Sequence, residues 1–403
     1  MLQRIYHMIK EVDIESLITI AAPQKQVPQI MDQLGGHVSI SPEPSRKDTF
    51  PAIVLACLLL KEQGVDPDDA VAVCPIDPDV DESYFLCVKE MCSKVKEGMN
   101  SVVLMGITPS YPSEKYGYII CENDQVVSFT EKPNKDIAKE YIKQGAFWNS
   151  GVFAFKLDYI LRIAQKTFGS DDYEQLYKNY SDVKKISFDY AVLEKEKNIG
   201  LVKYTGRWED LGTWNTVTKS LCDYTLGNAI TSQCSNTHVI NELNIPLVAI
   251  GIHDAVIVAT PDGILVSDKE KSEGIKELVI EKRPMYERRE WGEYKVLDYN
   301  IQSDGNNSLT KLLVISTGKH ISYQTHHHRT EMWTIIDGEG QLILDGEIIS
   351  VNRGDSVTIP PLCKHAIKAD KELHIIEIQI GDELSEDDIN RIDYNWSIFD
   401  KEK

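Results

Sequence analysis

The texture of the chain changes near Tyr224, and that change limits the folds open to it. Before it, amphipathic segments such as Met1–Lys10 and Thr49–Gln63 place apolar residues at helical spacing, and short apolar runs such as Ala70–Cys74 and Ser101–Gly106 read as buried strands. Helix and strand in alternation predict a mostly parallel sheet with helices on its faces. Asp48-Thr49 ahead of Pro51 supplies a helix start. From Asn228 to Asp268 the pattern becomes short β-rich runs, Thr237–Ile240, Leu247–Ile250, Ala255–Ala259 and Ile264–Val266, parted by turns such as Pro261-Asp262-Gly263. The charged stretch Lys269–Arg289 predicts one helix and a linker. From Trp291 to Gly381 strands dominate again, with turns at Asp304-Gly305-Asn306, Asp337-Gly338 and Asp345-Gly346. Asp345-Gly346, between Gln341–Leu344 and Glu347–Val351, is a hairpin signal. Closely spaced strands of this kind predict a sandwich or a small barrel. At 403 residues the chain has room for two or three domains, and the texture divides it into 1–223, 224–285 and 286–403.

Charge and hydropathy exclude some classes of function. A net charge of −20 disfavours nucleic acid as a partner, because phosphate counterions are displaced by basic surfaces. It leaves open a small phosphate-bearing ligand, which one well-placed lysine serves. No run approaches the ~20 apolar residues that cross a bilayer. The best candidate, Ala52–Leu60, runs into Lys61-Glu62 and reads as a buried helix. Glu11, Asp13 and Glu15 interrupt any signal-peptide pattern, so the expected location is the cytoplasm, with no membrane partner. The eight cysteines form no CxxC pair and read as reduced thiols.

The segment Gln324-Thr325-His326-His327-His328-Arg329-Thr330-Glu331 concentrates metal ligands. In a strand, alternate side chains share a face, so Gln324, His326 and His328 are expected on one side. Gly354–His365 adds another histidine after Pro360-Pro361. Such N/O ligands inside a barrel suit a divalent metal; a polar surface strand is the plainer alternative. These residues resemble the cupin motifs: Gly318, Gln324, His326, Glu331 and Gly338 follow the first, and Gly354, Pro360 and His365 the second, with Leu362 where glycine is usual. The resemblance implies Gln324, His326, Glu331 and His365 as ligands of Zn²⁺, Mn²⁺, Fe²⁺ or Co²⁺, with His327 and His328 as neighbours. The form looks like the cupin of type II mannose-6-phosphate isomerases, whose reaction needs an acid/base group that the sequence does not identify.

Four segments carry chemistry in the first half. Val73-Cys74-Pro75-Ile76-Asp77 ends an apolar run in a carboxylate, where α/β proteins bind ligands and a hydrated Mg²⁺ could sit; a surface Asp after a strand is the alternative. Tyr116-Gly117-Tyr118-Ile119 precedes Phe129-Thr130-Glu131-Lys132-Pro133, which sets an acceptor for sugar hydroxyls beside a cation for phosphate; a charged turn is the alternative. Gly117 lets backbone approach a ligand. Phe147-Trp148-Asn149-Ser150-Gly151 offers Asn149 as donor and acceptor, or as a structural turn. Trp208-Glu209-Asp210-Leu211-Gly212-Thr213-Trp214 offers Asp210 as a second metal carboxylate, or as a helix N-cap.

In this order the four segments resemble the sugar nucleotidyltransferases, most closely the mannose-1-phosphate guanylyltransferases. Supporting matches are Glu43-Pro44 with Asp48-Thr49-Phe50-Pro51-Ala52, and Phe188-Asp189-Tyr190-Ala191-Val192-Leu193-Glu194. Trp291-Gly292-Glu293-Tyr294 and Glu386-Asp387-Asp388-Ile389 resemble the cupin flanks of that family. The resemblance implies an α/β Rossmann-like transferase domain, a β-rich connector and a C-terminal cupin barrel. It implies Asp77 and Asp210 holding Mg²⁺, Lys132 on the sugar phosphate, and Glu131, Asn149 and Gly117 on the sugar. The implied partners are GTP and mannose 1-phosphate, and the connector is a candidate surface for a homo-oligomer.

The family also carries a first strand and a loop, Gly-Gly-x-Gly-Thr-Arg, whose amides cradle the triphosphate. Met1-Leu2-Gln3 already matches the helix that follows this loop, and Leu34-Gly35-Gly36-His37 lacks the arginine. The expectation is a truncated chain with its sugar side intact, weak GTP binding and very low turnover. Isothermal titration with Mg-GTP checks it; micromolar binding with turnover like that of a full-length relative contradicts it.

Overall fold

The computed structural model describes residues 1–396 apart from 14, 36–37, 123–124, 280–283, 303–304, 386–387 and 394–395. Gly36-His37, Asp304 and Glu386-Asp387, named above, lie outside the described residues. The chain forms two compact units, Met1–Ser220 and Leu221–Lys403. No helix among the described residues is long and apolar enough to cross a membrane.

In the first unit six strands form one sheet in the order Ala70–Val73, Phe147–Lys156, Val102–Ile107, Ile199–Tyr204, Gln125–Thr130, Tyr118–Glu122. This corrects the expectation of a mostly parallel sheet. The helix Ser83–Lys96 joins Ala70–Val73 to Val102–Ile107, but the ten-residue strand Phe147–Lys156 lies between them, antiparallel to both. Within this sheet the parallel ladder joins Val102–Ile107 to Ile199–Tyr204. Apolar runs mark strands as buried; direction depends on which strand pairs with which, and periodicity does not record that.

Thr49–Glu62 is apolar around its whole circumference and is accordingly buried against one face, packed with Leu157–Phe168. The Asp48 carboxylate accepts from Thr49 N, as the sequence predicts of a helix start. The Thr49 hydroxyl in turn accepts from Phe188 N at 2.8 Å, which ties the helix start to the segment carrying Asp189. Beyond the sheet, Pro78–Val80 pairs antiparallel with Trp208–Asp210. Buried Asp79 anchors that strand pair by ion pairs to Arg4, at 2.8 Å, and to Arg207.

In the second unit, Ala229–Ser232 pairs parallel with Leu247–Ile250, while Thr225–Gly227, His238–Asn241 and Ala255–Thr260 form a second parallel ladder. Two stacked parallel ladders make a short β-helix. The charged stretch after it holds a helical turn, Ile275–Leu278, and also a strand, Tyr286–Arg289, that its charge concealed. The rest is a barrel of two antiparallel sheets, of six and five strands. Asp345 and Gly346 both take positive φ, +47° and +92°, the turn required between Glu339–Leu344 and Glu347–Asn352.

Leu362, standing where the cupin motif has glycine, adopts φ +67° and donates its amide to the His326 carbonyl at 2.7 Å. A side chain in the left-handed region costs about 1–2 kcal/mol, and a glycine there gives back about 0.5–1 kcal/mol as chain entropy. Leu362 is 58% exposed, so little burial is at stake. Leu362→Gly is therefore expected to raise the thermal midpoint of the barrel by about 1–3 °C; a fall contradicts this account.

Candidate functional site

The first site is built where the antiparallel strands end. Glu131 and Lys132 follow directly on Gln125–Thr130, and Lys132 takes φ +45° ahead of Pro133, a sparsely populated backbone state for a residue other than glycine. Lys132 Nζ lies 3.3 Å from Glu131 Oε1. Glu131 Oε2 is buried with no hydrogen-bond partner. A Cβ on Gly117 would stand 2.5 Å from that oxygen, so glycine is the residue that leaves the carboxylate its place. Asn149 N donates to the Gly117 carbonyl at 2.8 Å, and Asn149 Nδ2 donates to Asp189 Oδ1 at 2.8 Å. Asn149 Oδ1 also accepts from Gly151 N at 3.1 Å, where the strand bends at φ +76°. Asn149 thus supports a local turn, as the plainer alternative held, and still keeps one N–H and one lone pair for a ligand.

Burial raises Glu131 above the ordinary carboxylate range; Asp189 raises it further and Lys132 opposes. Burial likewise raises Asp189, against the hydrogen bond from Asn149. The structure therefore brings Gly117, Glu131, Lys132 and Asn149 together and adds Asp189. That residue was visible in the sequence only as part of a matching segment, with no role attached.

Asp77 and Asp210 are brought to neighbouring positions by the antiparallel ladder Pro78–Val80/Trp208–Asp210, whose register sets Pro78 opposite Asp210. Leu211 N donates to the Asp77 carbonyl at 3.4 Å. Asp210 Oδ1 accepts from Gly212 N at 2.7 Å, whereas the helix Trp214–Ser220 is capped by the Thr213 hydroxyl. The N-cap role considered for Asp210 thus belongs to Thr213. Asp77 is exposed and Asp210 half-buried. Two carboxylates open to solvent fit Mg²⁺, which keeps several waters. Tyr116 packs between Trp148 and Trp208, at 4.9 and 5.4 Å between ring centroids, and its hydroxyl interacts with Asp210. Tyr116 and Gly117, adjacent in sequence, thus touch Asp210 on one side and Glu131 on the other.

The second site lies in the barrel. His326, Glu331 and His365 are buried, with one donor atom each within 4.8 Å of the others. His326 Nδ1 meets the Asp388 carbonyl at 2.9 Å and His365 Nδ1 the Cys363 carbonyl at 3.0 Å. These carbonyls assign the protons to Nδ1 and leave both Nε2 lone pairs facing inward, 3.2 Å apart. Two facing lone pairs repel unless a cation lies between them, so the donor set fits a divalent metal. Burial pushes His326 down to about 4, which keeps it a neutral ligand. Glu331 lies below the ordinary carboxylate range: burial pushes it up, and its electrostatic contacts with His326, His365 and Arg329 outweigh that.

Gln324 stands opposite His365, its amide nitrogen 3.3 Å from His326 Nε2 and its oxygen accepting from Ser322. The expected alternation of Gln324, His326 and His328 fails, because the strand ends at Thr325 and His328 turns out to Asp382. Arg329 and Asp388, which the sequence reading gave no role, close the site: Arg329 Nε donates to Glu331 Oε1 at 2.9 Å, and Asp388 accepts from the amides of His327 and His328.

A sheet domain that joins a metal-capable carboxylate pair to a lysine–glutamate pair, followed by a β-helix and a cupin-like barrel, defines a sugar-phosphate transferase architecture. The chain belongs to the nucleotidyl transferase family, which its residues 1–227 match. Residues 230–281 match the family described as MannoseP isomerase/GMP-like beta-helix domain, and 278–394 that described as mannose-6-phosphate isomerase C-terminal. A mannose-1-phosphate guanylyltransferase of Escherichia coli K12 is 28% identical, over 97% of this chain and 90% of that protein. The xanthan biosynthesis protein XanB of Xanthomonas campestris is 30% identical, over 90% and 84%. A crystal structure from Thermus thermophilus, described as a mannose-1-phosphate geranyltransferase, superposes with TM-score 0.58 at 25% identity, over 68% of this chain and 87% of that one.

Gly117→Ala tests the packing at Glu131. It is expected to raise KM for the sugar phosphate at least about tenfold, equivalent to about 1.4 kcal/mol, with kcat changed less; an unchanged KM contradicts the placement.

Proposed function

We propose that the chain transfers GMP from GTP to mannose 1-phosphate, giving GDP-mannose and pyrophosphate. The observation that carries this is the junction of Asp77–Asp210 with Glu131–Lys132 through Tyr116-Gly117. The reaction is attack of a sugar-phosphate oxygen on the α-phosphorus of GTP, which calls for positioning and charge neutralisation more than for a protein nucleophile. Lys132, exposed at its tip, neutralises the sugar phosphate. Glu131 Oε2 accepts a sugar hydroxyl, Asn149 presents its remaining N–H, and Asp189 keeps the Asn149 amide oriented. Asp77 and Asp210 hold Mg²⁺, which when bound neutralises charge on the phosphates. In this reading the domains run 1–223, 224–285 and 286–403 and the enzyme is cytoplasmic. The connector's outer face, where Ile230 and Val248 lie exposed side by side, is the surface for a homo-oligomer.

A second reading rests on the barrel: isomerisation of mannose 6-phosphate with a divalent metal on His326, Glu331 and His365, and with Gln324 beside them. The facing Nε2 atoms favour it.

Pyrophosphate release from GTP and mannose 1-phosphate tests the first reading. Asp210→Asn is expected to lower kcat at least about 100-fold while the thermal midpoint stays within about 2 °C. Activity equal to that of the parent chain overturns the assignment of Asp210.

A further inference from the structure

The barrel interior holds more charge than a metal site requires. Inward residues of Asn307–Ile315, Leu373–Gly381 and Arg329–Asp337 line up in rows across the sheet. Ile335, Ile375 and Leu313 form an apolar row, as a core demands. Glu331, Gln379 and Leu309 form the row at the metal ligands, and between the two lie Trp333, Glu377 and Lys311. Lys311 and Glu377 are 4% and 5% exposed, with Nζ 3.9 Å from Oε2. Burying such a pair costs several kcal/mol per ion, and apolar replacements are often as stable, so stability does not explain it.

The surroundings orient Glu377. Trp333 Nε1 donates to its Oε1 at 3.2 Å, and Gln379 Nε2 donates to its Oε2 at 3.1 Å. The same Gln379 nitrogen donates to Glu331 Oε1 at 3.2 Å, so one amide spans the ligand carboxylate and the second carboxylate. Lys311 Nζ lies 4.7 Å from the centre of the Tyr294 ring. Gln379 Oε1 and Glu331 Oε2 are buried without a hydrogen-bond partner. Unmet buried acceptors cost about 1–3 kcal/mol each and point to donors that arrive from outside. Glu331 is engaged by Arg329, whereas Glu377 is held by Trp333 and Gln379 beside Lys311.

We propose that Glu377 is the proton-transferring carboxylate for aldose–ketose isomerisation of a sugar phosphate in the barrel, with Lys311 as its positioning countercharge and Gln379 Oε1 as acceptor of a sugar hydroxyl. The proposal rests on the isomerase reading above. Glu377 takes the proton from C2 of the open-chain aldose, the C–H electron pair becomes the C1=C2 bond, and the C1=O π pair moves onto O1 to give an enediolate. The O2 hydroxyl proton passes to O1, an O2 electron pair forms C2=O, and Glu377 delivers to C1 a proton that exchanges with solvent while it resides on the carboxyl, so the ketose results. Atoms and charge balance without a co-reactant.

The test uses the full chain loaded with Co²⁺ and given mannose 6-phosphate in D₂O. Deuterium at C1 and C2 and the formation of fructose 6-phosphate are followed by NMR, and the visible Co²⁺ spectrum reports the metal. Glu377→Gln is expected to lower exchange and isomerisation at least about 100-fold, with Co²⁺ affinity within about threefold of the parent. Glu377→Asp retains the charge one methylene away and is expected to keep the Co²⁺ spectrum and lose at least about tenfold in exchange, which also serves if the Gln variant does not fold. Lys311→Met is expected to shift the pH profile of kcat with the spectrum unchanged. Exchange within about tenfold of the parent in Glu377→Gln overturns the proposal alone, as does loss of the Co²⁺ spectrum, which would make Glu377 a support of the ligands. A parent chain that binds Co²⁺ and exchanges nothing overturns the isomerase reading and the proposal with it.

Discussion

A carboxylate removed from water must be met by a cation, by hydrogen-bond donors or by a proton, and both units are arranged around that requirement. In the first unit Glu131 and Asp189 are raised by burial and only partly compensated: one oxygen of Glu131 has no partner, and Lys132 reaches it from a largely exposed position. Such a site is completed by donors that come with a substrate. In the barrel the compensation is internal. Glu331 has Arg329 and Gln379, and Glu377 has Lys311, Trp333 and the same Gln379. The first arrangement leaves a lysine largely exposed beside the carboxylate, the second holds its charges in fixed places around two acceptors, Gln379 Oε1 and Glu331 Oε2, that have no hydrogen-bond partner.

The backbone makes these placements. Lys132 and Asp48 take positive φ at the first site, and Leu362 does so beside His326. Side chains in such conformations cost of order 1–3 kcal/mol each and persist where their surroundings hold them. Asp48 is held by its cap on Thr49, and Leu362 by its bond to the His326 carbonyl. Gly117 and Gly151 contribute differently: the first leaves room for a carboxylate, the second lets a long strand bend beside Asn149. Lys132 apart, each of these residues acts on a functional side chain rather than being one.

The family match joins both sites in one chain, with a nucleotidyl transferase domain and an isomerase-type C-terminal domain separated by a β-helix. The sites differ in metal environment. Carboxylates alone at Asp77 and Asp210 suit hard, hydrated Mg²⁺, while imidazole at His326 and His365 suits a transition metal.

Much of this was readable in the chain itself. The helix at Thr49, the hairpin at Asp345-Gly346 and the succession of sheet domain, β-rich connector and barrel follow from local spacing, because caps, turns and periodicity are local properties. The site segments were readable because their residue types are unusual together. Tertiary structure alone decided what depends on distant partners. It inserted Phe147–Lys156 antiparallel between Ala70–Val73 and Val102–Ile107, ended a strand at Thr325 so that His328 left the ligand face, and gave the helix cap to Thr213 rather than Asp210. It also turned Glu377 and Lys311 inward to face each other across strands far apart in sequence. The alternation of Leu373, Ile375, Glu377 and Gln379 hinted at that inward face. Only the closed barrel, which takes those groups out of water, makes their charges consequential.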